Sequence, residues 1–329
     1  MKNNILITGH RGFLGYYLYN FLKKNKKNKL IGKDIDLYTN NINYKKHFLN
    51  IKKKDLIKID TIIHLAGVST NYDPKKKIYK QISYKNNYLD TIKFAKLAKK
   101  FGVKKFIFAS STSVYGDKDN KKVNESEKLE PITSYGKSKK YTEEKLKKIA
   151  SNNFKIIILR MATLFGLSKR MRFDLLVNNL VLSYIENGKI ILLSDGKKIR
   201  PQVHIKDVAK VYDYFVNNEI DKNYLILNTG RDDYNLTVSQ VAKKIASTLK
   251  CKIKYGKIDK DKRSYKVNFN KLNKYVKFTK KTNTIEKNTI EIQKFYKNKK
   301  IKFFQNKNFY NLKVLKYLID KNVSNKILL

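Results

Sequence analysis

The chain is poor in the residues that build disulfide frameworks and metal sites. Its 329 residues include one cysteine, Cys251, and four histidines, none of them in the paired spacing of zinc ligands. No apolar run approaches membrane-spanning length, and residues 3–8 lead directly into a strand, so we expect no signal peptide. We therefore expect a globular, cytoplasmic protein without a bound metal.

Acidic residues and arginines are also scarce. Lys and Arg number 74 against 27 Asp and Glu, which gives a formal charge of +47. The lysines are spread over nearly every segment rather than gathered in one patch, so we expect neither a specific nucleic-acid partner nor a membrane partner. In a chain where lysine is the default cation, arginine indicates a place for a rigid bidentate group. The arginines are Arg11, Arg160, Arg170, Arg172, Arg200, Arg231 and Arg263.

A glycine-rich turn follows the first predicted strand. The apolar segment at residues 4–8 precedes Gly9, Gly12 and Gly15, and an amphipathic helix is predicted from there to Lys24. Glycines at this spacing allow a tight turn, close approach of backbone N–H groups to a pyrophosphate, and close packing of helix on strand. The triplet alone is a weak signal, but its position between strand and helix favours a dinucleotide site.

A carboxylate ends the second predicted strand. Residues 29–33 form this strand, and Asp34 follows it, 19 residues after Gly15. A carboxylate there accepts hydrogen bonds from the adenosine ribose and repels a 2′-phosphate, which favours NAD over NADP. Lys33 and Arg11 leave NADP open, because a nearby cation can accommodate that phosphate.

Two further strands are predicted in the first half of the chain. We expect a third strand near residues 47–51, with Asn50 and Ile51 near the adenine. Residues 61–67 read as a buried parallel strand and a small-residue turn at the carboxyl edge of the sheet, where cofactor and substrate should lie. We expect His64 to be packed at the strand end rather than catalytic.

A serine, a tyrosine and a lysine in the middle of the chain could move a proton. Ser111 ends an apolar strand, and Tyr135 and Lys139 stack one turn apart if Ser134 caps a helix. A phenol titrates near 10 in isolation, and an adjacent ammonium favours the phenolate. The spacing alone proves nothing, because several Tyr-x-x-x-Lys pairs occur in this lysine-rich chain. The setting of Tyr135 after a serine-ended strand is what favours it.

Strands and helices alternate as far as Arg160, including a helix over residues 78–101 that carries Asn87. This alternation predicts an α/β protein with a Rossmann-type, doubly wound parallel sheet. We assign residues 1–164 to the NAD-binding domain, with 200–230 returning to it. Residues 165–199 and 231–329 are expected to form a smaller, interleaved C-terminal lobe that binds the substrate.

Together these motifs resemble the extended short-chain dehydrogenase/reductase superfamily, specifically the NAD-dependent epimerase/dehydratase family, whose members act on nucleotide sugars. The resemblance covers essentially the whole chain. It rests on Thr8-Gly9-x-x-Gly12-x-x-Gly15, His64-Leu65-Ala66-Gly67, the run from Ser110 to Gly116, Tyr135-x-x-x-Lys139, and Arg200-Pro201 with His204-x-x-Asp207.

The resemblance implies a role for each matching position. Tyr135 would be the acid/base, Lys139 would bind the nicotinamide ribose and lower the tyrosine pKa, and Ser111 would orient the sugar hydroxyl. The implied cofactor-binding residues are Gly9, Gly12, Phe13, Leu14, Gly15, Asp34, Asn50, Ile51, Leu65, Ala66, Gly67, Asn87, Tyr135 and Lys139. The implied substrate-binding residues are Ser111, Thr112, Thr163, Asn179, Arg200 and Arg263, with arginine suited to a diphosphate.

Departures from the family pattern narrow the expected reaction. Sugar 4,6-dehydratases of the family usually carry an Asp-Glu pair after the catalytic Thr, whereas Thr112 and Ser113 follow Ser111 here, which disfavours dehydration. Cys251 lies outside the catalytic stretches, which disfavours 3,5-epimerisation by a Cys/His pair. Thr163 stands where many epimerases have Asn.

The expectation that remains is an NAD-dependent 4-epimerase of nucleotide sugars. Two alternatives stay open: a keto-sugar reductase that consumes NAD(P)H, and a binding protein that kept the fold and lost catalysis. The resemblance also implies a homodimer formed through the helices after Ile78 and after Ser134.

Overall fold

Strands and helices alternate through the part of the chain that the computed structural model describes, residues 3–39, 42–69, 77–257, 263–278 and 282–321. The strands are β1 (Asn3–Thr8), β2 (Asn28–Lys33), β3 (Thr61–His64), β4 (Lys105–Ser111), β5 (Lys122–Val123), β6 (Lys155–Met161), β7 (Thr163–Phe165), β8 (Ile190–Ile191), β9 (Ile199–His204), β10 (Tyr224–Thr229), β11 (Asn235–Thr237), β12 (Ile253–Lys254) and β13 (Lys266–Val267). The helices are α1 (Phe13–Lys23), α2 (Lys53–Leu56), α3 (Lys77–Ser83), α4 (Asp90–Lys100), α5 (Ser134–Ile149), α6 (Leu176–Asn187), α7 (Ile205–Asn217), α8 (Val238–Leu249), α9 (Ile285–Tyr296), α10 (Ile301–Phe304) and α11 (Asn311–Asp320).

Six strands form one parallel sheet in the order β2-β1-β3-β4-β6-β10. The strand order reverses between β1 and β3, and a cleft opens outside the carboxyl ends of strands at such a reversal. Thr8, His64 and Ser111 lie at those carboxyl ends. This confirms the predicted α/β fold with a doubly wound sheet.

The central strands are buried on both faces, as a parallel sheet covered by helices requires. All four residues of β3 and the first six of β4 are buried. Odd and even positions of β1 belong to different apolar clusters, Ile5 and Ile7 to one and Leu6 to the other. The near-continuous apolar runs that predicted these strands therefore reflect two separate half-cores.

The predicted third strand at residues 47–51 is wrong. Phe48–Asn50 is a 3₁₀ turn, and the His47 side chain caps it by accepting a hydrogen bond from the backbone N–H of Leu49. Phe48 and Ile51 are buried three residues apart in the same apolar cluster, which suits a helical turn and not the alternation of a strand. The third strand along the chain is β3, which pairs directly with β1.

The later part of the chain contributes to two regions. β9 pairs with β7 and β11 in a small three-stranded sheet, and α6, α8 and α9 pack against one another. α7 instead packs against α1, and β10 joins the main sheet. The division into a cofactor-binding and a substrate-binding part stays a prediction. Within the described ranges, no helix has both the length and the apolarity to cross a membrane.

Candidate active site

The glycine-rich turn joins β1 to α1, and Gly9 and Gly12 of this turn line the cleft. Gly9 has a left-handed φ of 72°, and the N–H of Gly12 donates to its carbonyl at 3.0 Å. A Cβ atom on Gly15 would collide with the same carbonyl, so this position needs glycine. No side chain caps the start of α1 and no acidic residue lies in its first turn, which leaves this helix end suited to an anion.

Asp34 lies at the end of β2 on a cavity beside this turn. Its carboxylate accepts the backbone N–H groups of Arg11 at 2.8 Å and of Asp36 at 2.9 Å. Burial raises the pKa of Asp34, and these two hydrogen bonds act in the opposite direction. Leu65, Ala66 and Gly67, the turn after β3, line the same cavity.

Three of the residues expected at the cofactor do not line the cavities along this cleft. Asn50 and Ile51 belong to the 3₁₀ turn and to the core below it. Asn87 is fully buried and holds the backbone of Val68 by two hydrogen bonds, 2.7 and 2.9 Å long. Its amide oxygen lies 3.0 Å from the position that a Cβ atom on Gly67 would occupy. Asn87 therefore packs against the backbone of the turn after β3. Cofactor contact by these three residues stays a prediction.

Tyr135 and Lys139 lie one turn apart on α5 and line a second cavity, which also contains Gly12, Phe13 and Leu14. The Lys139 ammonium donates to the carbonyl of Ala109 at 2.7 Å and lies 5.6 Å from the centroid of the Tyr135 ring.

The cap of α5 differs from the prediction. Thr133 is the N-cap, and its hydroxyl accepts the N–H of Gly136 at 3.1 Å, while Ser134 is the first helical residue. The helix begins at Ser134, so Tyr135 still lies in its first turn.

The expected effect of Lys139 on the Tyr135 pKa stays a prediction, because burial dominates the pKa of both groups. Burial raises the pKa of Tyr135 to about 12, against weaker opposing effects of Arg172, a hydrogen bond with Ser111, and Arg263. Lys139 is itself 3% exposed, and burial lowers its pKa to about 7, although Glu143 acts against that. Arg172 is the cation whose charge most opposes the effect of burial on the Tyr135 pKa.

A third cavity adjoins the second and shares Ser69, Tyr135 and Arg172 with it. It holds five of the six residues predicted to bind substrate: Ser111, Thr112, Thr163, Arg200 and Arg263. The Thr112 hydroxyl lies 3.2 Å from that of Tyr265. The sixth, Asn179, lies outside this cavity and donates to the carbonyl of Phe173 at 2.9 Å, so its role stays a prediction. Thr70, which follows Ser69 in the chain and could shape the same pocket, lies outside the described residues.

Residues remote in sequence complete the second cavity, and no role was assigned to them from the sequence. The Arg170 guanidinium lies 4.0 Å from the centroid of the Tyr38 ring and donates to Asn311 at 2.6 Å. Asn311, at the start of α11, donates to the carbonyl of Ser69 at 2.9 Å. The rarity of arginine in the chain was the available signal for Arg170 and Arg172. No sequence signal indicated Tyr38 or Asn311.

His64 is buried and its ring nitrogens lie 2.8 Å from the Thr8 hydroxyl and 3.0 Å from that of Thr91. Burial lowers its pKa well below the usual value, so the ring is neutral. The prediction that His64 is packed at the strand end is confirmed.

The first two cavities fit an extended dinucleotide. They share Gly9, Gly12 and Gly67, so they form one continuous cleft. Asp34 at one end suits a ribose, the uncapped end of α1 suits a pyrophosphate, and the other end reaches Lys139 and Tyr135.

Comparisons with known proteins agree with this geometry. The sequence model of the NAD dependent epimerase/dehydratase family matches residues 5–230. An uncharacterized UDP-glucose epimerase of Bacillus subtilis, YtcB, is 31% identical over 229 residues, which cover 63% of this chain and 70% of that protein. The dTDP-D-glucose 4,6-dehydratase of Dictyostelium discoideum is 30% identical over 275 residues, covering 73% of this chain and 61% of that one.

Solved structures show the same fold. A UDP-N-acetylglucosamine 4-epimerase from Methanobrevibacter ruminantium, in complex with UDP-N-acetylmuramic acid, has a TM-score of 0.77 at 21% identity, covering 90% of this chain and 99% of that one. The UDP-glucuronic acid 4-epimerase of Bacillus cereus, in complex with UDP-glucuronic acid and NAD, has a TM-score of 0.74 at 24% identity, covering 89% and 100%. With a family model that matches most of the chain and a cleft that fits its cofactor, this protein belongs to the NAD-dependent epimerase/dehydratase family, and its cofactor is NAD.

Proposed function

We propose that the protein is a nucleotide-sugar 4-epimerase that keeps its NAD bound between turnovers. The observation that carries this proposal is the composition of the third cavity. Ser111 and Tyr135 meet there beside three arginines, Arg172, Arg200 and Arg263, and no Asp or Glu is among its lining residues in the described part of the chain.

Each group has a proposed part in the reaction. Bound NAD supplies a hydride acceptor and donor at the sugar carbon. Tyr135 takes the proton from the 4-hydroxyl and later returns it, and Ser111 orients that oxygen through its hydroxyl. Arg200 and Arg263 bind the diphosphate, whose oxygens match the planar guanidinium. Arg200 and Arg263 would hold the diphosphate while the keto sugar turns, so that the hydride that bound NAD supplies would reach its other face and give the epimer.

The absence of a lining carboxylate favours epimerisation over dehydration. Water elimination needs a second acid/base pair besides Tyr135, and the family's dehydratases use carboxylates after the catalytic Thr. Here Thr112 and Ser113 occupy those positions, and Thr112 contacts the hydroxyl of Tyr265. The hydroxyls of Thr112 and Ser113 do not ionise near neutral pH and cannot serve as a general base without a partner.

The test uses purified protein. Its cofactor is released by denaturation and identified, and the native protein is incubated with UDP-, GDP-, CDP- and dTDP-sugars without added NAD(P)H. We expect stoichiometric NAD and conversion of one sugar to its 4-epimer. A protein that turns over only keto sugars, with added NADPH, would be a reductase and would overturn the proposal. A protein that retains NAD and converts no sugar of the panel would also contradict it.

A further inference from the structure

Three cations surround the adenosine end of the cofactor cleft. Arg11, Lys33 and Lys46 line the same cavity as Asp34. Such a cluster would ordinarily suit the extra phosphate that distinguishes NADP from NAD, because guanidinium and ammonium groups bind phosphate strongly. The cofactor of this family is nevertheless NAD, so something in this cavity must offset the cations.

Asp36 is the residue that contacts two of them. Its carboxylate is 5% exposed, and the two oxygens accept hydrogen bonds from one nitrogen of the Arg11 guanidinium, at 3.1 and 3.0 Å. The Lys46 ammonium lies 3.8 Å from the same carboxylate. A buried carboxylate between two half-exposed cations cancels much of their field at the ribose.

Asp34 and Asp36 do different things at this site. Both oxygens of Asp34 accept backbone N–H groups, those of Arg11 and Asp36, and no cationic side chain in the described part of the chain forms an ion pair with them. Asp34 therefore stands at the end of β2 where a ribose would meet it. Asp36 adopts a left-handed φ of 58°. The carboxylate of Asp34 stabilises this conformation by accepting a hydrogen bond from the backbone N–H of Asp36. This turn directs the Asp36 carboxylate at Arg11.

We propose that Asp36 is a second determinant of cofactor selectivity: it occupies Arg11 and Lys46, which together with Lys33 form a latent site for the 2′-phosphate of NADP. Asp34 repels that phosphate directly, whereas Asp36 withholds the cations that would bind it. Neither aspartate alone accounts for the preference for NAD over NADP. If Asp34 were removed, Arg11 would still be paired with Asp36 and would not be free to bind the 2′-phosphate.

The test substitutes Asp36→Asn. Asparagine has nearly the same shape and is, with aspartate, among the few residues that tolerate a left-handed backbone, so the substitution removes the charge and keeps the turn. Each purified variant is brought to exchange equilibrium with an equimolar mixture of NAD and NADP, and the retained cofactors are quantified by mass spectrometry after denaturation. This readout needs no sugar substrate and is independent of the proposed epimerase activity.

We expect Asp36→Asn to raise the retained NADP:NAD ratio by about tenfold or more, the effect of freeing one charged donor for a phosphate. The double variant Asp36→Asn with Arg11→Met should lose that gain. Asp60→Asn is the matched control, since Asp60 forms a partly exposed pair with Lys104 and does not line the cavity. An unchanged ratio in Asp36→Asn would overturn the proposal, and so would a gain that persists undiminished without Arg11, since Lys46 can retain only a part of it.

A single variant tests the same idea if Asp36→Asn does not fold. Arg11→Met in the otherwise unaltered protein should change the NADP:NAD ratio by less than about twofold, because Arg11 is already neutralised by Asp36. A marked fall in retained NADP would mean that Arg11 is available to the 2′-phosphate despite Asp36, and would contradict the proposal.

Discussion

Tyr135 lies between groups that move its pKa in opposite directions. Burial raises the pKa to about 12, while Arg172, Ser111 and Arg263 favour the phenolate. Burial therefore favours the protonated phenol, so Tyr135 can take a proton only where nearby positive charge offsets the effect of burial on its pKa. Arg172 and Arg263 supply part of that positive charge. A phenol whose pKa is balanced in this way suits a group that must both take and return a proton.

The first prediction at the residue scale concerns Tyr135→Phe. We expect turnover to fall by at least about 100-fold, the usual size of a lost general acid/base, with the bound NAD retained. Steady-state kinetics and cofactor content measure both. Tyr141→Phe is the matched control, since Tyr141 starts another Tyr-x-x-x-Lys pair on α5 and is 41% exposed. Full turnover by Tyr135→Phe would remove the mechanism.

The buried Lys139 side chain should lower the free energy of unfolding of the protein. Burial lowers its pKa from 10.5 to about 7, so between these pH values the unfolded chain holds a proton that the folded protein releases. The stability of the folded state at this position is full above 10.5 and declines as pH falls towards 7. We expect Lys139→Met to raise the free energy of unfolding by roughly 1–3 kcal/mol near pH 8 while turnover falls.

Urea unfolding at pH 8 and pH 10.5 measures this effect, and the gain should shrink at the higher pH. Lys145→Met, an exposed position on the same helix, is the control for which we expect little change. A gain that grows with pH, or a loss of stability at pH 8, would contradict the assignment of a depressed pKa to Lys139.

At the scale of elements, a buried ion pair joins α5 to the sheet beneath the site. Glu143, 2% exposed, accepts from the Nε and Nη2 atoms of Arg160 at 3.0 and 2.6 Å. Ser110, the neighbour of Ser111, also donates to Glu143, and Arg160 donates to the Tyr115 hydroxyl at 3.0 Å. Glu143 follows Lys139 by one helical turn, so the pair fixes the catalytic helix against β4 and β6.

We expect Glu143→Gln to lower the free energy of unfolding by about 3–5 kcal/mol, because it leaves the Arg160 charge buried without a counter-ion. Replacing both residues by Met should recover most of that loss, since a packed apolar pair needs no desolvation of charge. Urea unfolding of the unaltered protein, Glu143→Gln and the double Met variant measures the loss and its recovery. Glu144→Gln, exposed on the next position of α5, is the control, and equal losses in Glu143→Gln and Glu144→Gln would contradict the expectation.

The elements differ in how far sequence could predict them. β1, β3, β4 and β6 are apolar runs bounded by turns, and buried strands of a parallel sheet leave that pattern. Phe48–Asn50 shows a similar local apolar content but is a 3₁₀ turn, because Phe48 and Ile51 pack on one side of it. Asn311 could not be predicted at the cofactor cleft, since only packing of α11 brings it to Ser69.

At the scale of the whole molecule, the chain closes its cofactor cleft with segments far apart in sequence. Val314, Leu315 and Leu318 of α11 pack with Leu37 and Val68, which flank the adenosine end. The segment with Arg170 meets the same helix through Asn311. The cleft is therefore formed by the folded chain as a unit and not by the N-terminal strands and helices alone.

The last prediction is the homodimer, through a face formed by the π-helical turn Tyr84–Leu89 and α5. Tyr84, Leu89 and Tyr141 are 46%, 46% and 41% exposed, and the rings of Tyr84 and Tyr141 lie 6.4 Å apart. Exposed apolar groups gathered on packed helices favour association. Two copies each carrying a formal charge of +47 repel, so dimerisation should strengthen as salt screens that repulsion.

Sedimentation velocity over a range of protein and salt concentrations measures this association. We expect a dimer whose dissociation constant falls between low and physiological ionic strength, and we expect Leu89→Glu to give a monomer that retains NAD. Leu193→Glu is the matched control, because Leu193 is 70% exposed on a different face, beside β8. If Leu193→Glu dissociates the dimer and Leu89→Glu does not, the dimer interface is not the face that carries Leu89, and the prediction is wrong. A protein that stays monomeric at every salt concentration would also contradict the prediction.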